Sequence, residues 1–137
     1  MTRATEYEQA EIAARWLAPV KAEHAYEYAL RYSDPTRYGF HKEHVSEIEC
    51  LTISSHSIAD AWLKARFPSN GTVQIVYSAS EVAVLDTHRF LDQWLNILGP
   101  GRDDVIVLHN LSATIMFYCH EDEIEVGKRL DLLSGNP

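Results

Sequence analysis

Two pairs of apolar, β-branched runs in the second half of the chain constrain its fold most strongly. "TVQIVYSA" (72–79) is followed at once by "EVAVLDT" (81–87), and "DVIVLHN" (104–110) by "SATIMFYC" (112–119). Runs this rich in Val, Ile, Tyr and Phe form strands. Links this short hold no crossover helix, so each pair must run antiparallel. "VSEIECLTIS" (45–54) adds a strand earlier in the chain, and "DEIEVGK" (122–128) a last one.

Between these runs the period changes to that of a helix. In "THRFLDQWLNIL" (87–98) the residues Phe90, Leu91, Trp94, Leu95 and Leu98 make one stripe. Thr87 suits its N-cap, and Gly99-Pro100-Gly101 its stop. "SHSIADAWLKARF" (55–67) repeats the pattern with a serine cap. Near the N-terminus, residues 5–18 read as helix with Thr5 and Glu8 as a capping box. After Pro19, "VKAEHAYEYALRY" (20–32) forms another helix, stopped by Ser33-Asp34-Pro35. "LDLLSGNP" (130–137) reads as a short helix or a loose tail. This order predicts an α+β fold: a mainly antiparallel sheet of five or six strands, with helices packed on one face.

The 137 residues fit one domain, 1–137. The N-terminus lacks an apolar signal core, and no run reaches the roughly 20 apolar residues a membrane span needs. A cytoplasmic protein, monomer or homodimer, is the expectation. Cys50 and Cys119 make no disulfide framework, and each lies in an apolar run where a thiol is usually buried. The formal net charge of −8 works against nucleic acid and anionic membranes. It steers a basic partner toward the chain.

No motif assigns a catalytic residue or a cofactor. There is no G-x-S-x-G elbow and no H-E-x-x-H helix. "LGPGRDD" (98–104) lacks the lysine of a phosphate cradle, and Asp103-Asp104 reads as the solvated start of a strand. His41 and His44 in "HKEH" have a ligand-like spacing and, with His120, make an alternative metal set. Glu43 and His109 can join it only if the fold brings them near.

"FYCHEDEIEVGK" (117–128) is the densest concentration of reactive side chains. Strand alternation sends Cys119 and His120 to opposite faces, so they form no nucleophile–base pair without a bulge. It places Glu121, Glu123 and Glu125 on one face, with Ile124 and Val126 on the other. Glu121 and Glu125 then stand roughly 13 Å apart at about 3.3 Å per residue. On 45–54, Glu47 and Glu49 share a face in the same way. If the two strands neighbour and their faces coincide, the carboxylates form one patch suited to a cationic partner. The chain therefore reads as a small acidic binding protein that blocks a basic protein, in concrete form a bacterial immunity protein against a nuclease toxin. Its contact residues are Glu47, Glu49, Glu121, Asp122, Glu123 and Glu125. Tyr38 and Phe40, beside Tyr32 in the "RYSDPTRYGFHK" loop, serve as aromatic anchors. The alternative is a small enzyme or ligand-binding domain with a His/Glu site, with or without metal.

Overall fold

A computed structural model describes residues 2–34, 36, 39–99 and 104–130. The elements run α1 (Arg3–Gln9), β1 (Arg15–Trp16), α2 (Pro19–Leu30), β2 (Val45–Thr52), α3 (His56–Arg66), β3 (Thr72–Ser78), β4 (Glu81–Asp86), α4 (Thr87–Leu98), β5 (Val105–His109), β6 (Thr114–Cys119) and β7 (Glu123–Arg129). One seven-stranded sheet holds them, in the order β1-β4-β3-β5-β6-β7-β2. Every neighbouring pair is antiparallel. No helix among the described residues is long and apolar enough to cross a membrane.

The fold is α+β, with two corrections. The sheet has seven strands rather than five or six, and helices cover both faces rather than one. The reason lies in the central strands, which are buried at every position: β5 and β6 expose no residue. Alternate side chains enter two different cores. Val73, Ile75, Val105, Val107, Met116 and Tyr118 pack under α1, α3 and α4. Val76, Val82, Ile106, Leu108, Ile115 and Phe117 pack under α2, Tyr32 and Phe40. Each fully buried Ile, Leu or Phe contributes about 1.5–3 kcal/mol, so neither face could be left open without losing a core.

The first helix also ends earlier than its apolar pattern suggests. Thr2, not Thr5, is its N-cap, and its hydroxyl accepts from the Thr5 amide. Glu11 takes a left-handed φ of 59°. The amides of Glu11 and Ile12 then turn back to the carbonyls of Glu8 and Tyr7. This is the two-bond closure of a Schellman cap, and Tyr7 and Ile12 supply its apolar contact. The chain leaves extended, and Arg15–Trp16 pairs with Val84 and Ala83 of β4. Tyr7 then donates to the Tyr77 hydroxyl, which donates to the Ile97 carbonyl. Burial pushes both phenols above their ordinary pKa. One buried chain of hydroxyls thus ties α1 to the sheet and to α4.

The cap of α4 is Asp86 rather than Thr87. Thr87 is wholly buried, and its hydroxyl has no hydrogen-bond partner among the described residues. Gly99 closes α4 in the left-handed conformation, as its position suggests. Cys50 is exposed, because β2 is an edge strand. Of the tail 130–137 read as helix or coil, residues 131–137 lie outside the described residues, as do residues 100–103 of "LGPGRDD".

Candidate functional site: an acidic edge and a Cys–His–Asp cluster

The strands that carry the acidic residues are 75 or so positions apart in the chain and adjacent in the sheet. β2 pairs with β7 in the register Cys50↔Glu125, Leu51↔Ile124 and Thr52↔Glu123. Leu51, Ile124 and Val126 join the core under α3 and α4. Glu123 and Glu125 therefore face the α2 side. Between Ser46 and Glu49 the register shifts, and Glu47 sits there with a left-handed φ of 52°. This bulge breaks the alternation assumed for the strand. Glu49 stands opposite Val126, on the α3 side, where its carboxylate meets Arg66 at 3.1 Å. Glu121 and Asp122 occupy the β6–β7 turn, with Asp122 at φ 62°.

The six carboxylates thus wrap the rim of the sheet at β2 and β7; they do not form a row on one face. Three of them have internal partners. Glu49 pairs with Arg66, Asp122 accepts from the Tyr118 hydroxyl at 2.7 Å, and Glu125 accepts from the Phe40 amide at 2.8 Å. Glu47, Glu121 and Glu123 are exposed, with no hydrogen bond or ion pair from their carboxylates among the described residues. Phe40 is fully buried, edge-on to Phe117, so it belongs to the core and presents nothing to a partner. Tyr32 is buried as well. Tyr38 lies outside the described residues.

A second cluster forms where alternation predicted separation. β6 ends at Cys119, and His120 begins the turn, so its side chain is freed from the strand's alternation. Val105 pairs with Tyr118, which brings Asp104, one residue back, opposite Cys119. Asp104 Oδ1 accepts from the His120 amide at 2.9 Å and meets His120 Nδ1 at 2.8 Å. One ligand atom from each of Asp104, Cys119 and His120 lies within 4.8 Å of the others. The Asp104 hydrogen bond raises the imidazole's pKa. Burial pushes the Cys119 thiol up, which keeps it protonated and a poor nucleophile by itself. Asp104 also lines a cleft of about 460 Å³ with Tyr26, Leu30, Asp34, Ile106 and Phe117.

The metal set taken from the sequence does not assemble. His41 and His44 are neighbours, with ring centroids 4.7 Å apart. His120 gathers with Asp104 and Cys119 instead of with them. His109 is a satisfied core histidine, bonded to the Ser112 hydroxyl and the Asn70 carbonyl and set edge-on to Phe67. Asp104 was missed as a partner because it is 16 residues from His120. The signal that finds it is the hairpin register, once the four-residue loop 110–113 is fixed. No family model matches the chain, and no curated protein or solved structure matches it either.

Proposed function

We propose that the chain is a compact acidic inhibitor that binds a basic protein, such as a bacterial nuclease toxin, across the β2–β7 rim. One observation supports the reading best. Pairing of β2 with β7 concentrates Glu47, Glu49, Glu121, Asp122, Glu123 and Glu125 at one sheet edge. Close like charges destabilise the isolated protein and are relieved by a cationic partner, which they also steer into contact. The bulge at Glu47 supports the same reading, since it spoils the rim as a template for pairing with a second copy. Binding then rests on side chains rather than on strand addition.

The test is capture followed by an enzymatic readout. The immobilised chain should retain a basic protein from lysate of its source cells, and the free chain should inhibit that protein's nuclease activity. A Glu47→Lys/Glu121→Lys/Glu123→Lys variant should lose at least about tenfold in association rate at low salt, with the melting temperature held. Equal capture and inhibition by the reversed variant would sink the proposal.

The Asp104–Cys119–His120 cluster favours a second reading, a small ligand-binding or enzymatic domain with a metal. Its nitrogen, sulfur and carboxylate donors suit zinc, with three protein ligands and one position left for water or substrate.

A further inference from the structure

On the α2 side of the sheet, a cleft of about 590 Å³ has a character opposite to that of the acidic rim. Acids outnumber Lys and Arg by 20 to 12 in the chain. Yet Arg15, Lys21, His24 and Arg129 line this cleft, and no acidic side chain does. Arg129 is only 6% exposed. Its guanidinium donates to four neutral oxygens: the carbonyls of His109, Ser112 and Ala113, and the Tyr28 hydroxyl. No carboxylate pairs with it among the described residues. A buried cation held only by dipoles is an incomplete arrangement, because an unpaired charge away from water is costly.

The donor inventory points the same way. A guanidinium has five N–H groups, and Arg129 uses four in these bonds. Tyr28 accepts from Arg129 Nη1 at 3.2 Å and from the Tyr32 hydroxyl at 2.9 Å. With both lone pairs taken, its own proton must point elsewhere, and no acceptor for it exists among the described residues. Tyr28 lines the cleft. Leu17, Val84 and Leu108 form the apolar part of the wall.

We propose that this cleft binds a small organic anion, a phosphate monoester or carboxylate on a compact apolar body. The anionic group sits on Tyr28 and Arg129, Arg15 and Lys21 close over it from the rim, and the apolar body lies on Leu17, Val84 and Leu108. Arg129 ends β7, at the opposite end of the strand from Glu123, and no carboxylate of the acidic rim lines the cleft, so the two sites are tested separately.

Phenyl phosphate, benzoate, inorganic phosphate and phenol are the probes, titrated into the full chain and followed by amide NMR shifts and calorimetry. Phenyl phosphate or benzoate should give saturable shifts at Tyr28, Gln74 and Arg129, and phenol none. The stronger of the two anions identifies the head group, and inorganic phosphate alone should bind more weakly than phenyl phosphate. The exposed pair Arg15→Glu/Lys21→Glu should weaken binding at least about tenfold with the melting temperature unchanged. Tyr28→Phe, which removes the spare proton together with the oxygen that accepts from Arg129 and Tyr32, should weaken it several-fold. Absence of saturable binding by both organic anions would overturn the proposal, as would equal affinity in the Arg15→Glu/Lys21→Glu variant.

Discussion

Gly127→Ala is the sharpest test of how the acidic rim is held. Gly127 is buried in β7 where β2 crosses its bulge. A Cβ added there would lie 2.5 Å from Val45 Cγ1, 3.0 Å from the Ser46 carbonyl oxygen and 3.3 Å from Ile48 Cγ1. Ordinary carbon contacts are about 3.5–4.0 Å, so the first contact must open by roughly 1 Å. Overpacking of this kind costs about 1–3 kcal/mol. Alanine's lower chain entropy in the unfolded state offsets about 0.5–1 kcal/mol. A contact this close takes the upper part of that range, about 2–3 kcal/mol, so the net loss should be about 1–2.5 kcal/mol, or ~3–9 °C in melting temperature for a chain of this size. Urea unfolding measures it, and the slope should not change. Hydrogen exchange should quicken first at the β2 amides. Val45 is 2% exposed, so Val45→Ala alone costs about 1.5–3 kcal/mol. It also deletes the closest clashing atom. The double variant should therefore lose about 1 kcal/mol less than the sum of the singles. Strict additivity, or a Gly127→Ala protein as stable as its parent, refutes the packing argument.

Two further outcomes concern the cluster at the end of β6. Asp104 holds the His120 pKa above its ordinary value of 6.5, so the bond stabilises the fold fully below that value and is lost as pH rises through the elevated one. Asp104→Asn should lower the His120 pKa in an NMR titration, and its stability deficit should be larger in mildly acidic buffer than in alkaline buffer; an unmoved histidine titration would disprove the pairing. Zinc titrated into the reduced protein should bind one-to-one with release of protons, because the thiol must ionise to ligate, and Cys119→Ser should abolish this. Calorimetry without heat in the parent protein rules the metal out.

Much of the architecture was legible in the chain. The two hairpins, the stripe of α4 and the Gly99 stop follow from local chemistry, and local rules are what a sequence displays openly. Burial on both faces had a signal too. "VIVLH" and "TIMFYC" are apolar at nearly every position, which is the pattern of strands covered on both sides rather than one. The rim was harder. Alternation placed Glu123, Glu125, Ile124 and Val126 correctly, but it cannot foresee an inserted residue such as Glu47, whose left-handed φ is set by the partner strand. Alternation separates Cys119 from His120 only if the extended chain continues past Cys119 into the acidic stretch, and β6 ends at Cys119. A single turn residue removes the constraint, and the partner that completes the cluster, Asp104, comes from the residue just before β5.

The position of β2 bears on how the protein comes into being. β3 through β7 can assemble by pairing each strand with one close in sequence. β2 cannot, since Cys50 must wait for Glu125 to be synthesised before it has a neighbour. Closing so long a loop is slow, and it can be completed only after the rest of the sheet offers β7 as a template. During synthesis β2 is therefore an unpaired strand emerging early, with its carboxylates guarding it against neighbouring chains. The surface proposed to meet a partner is the last to be finished, so a nascent fragment cannot present it.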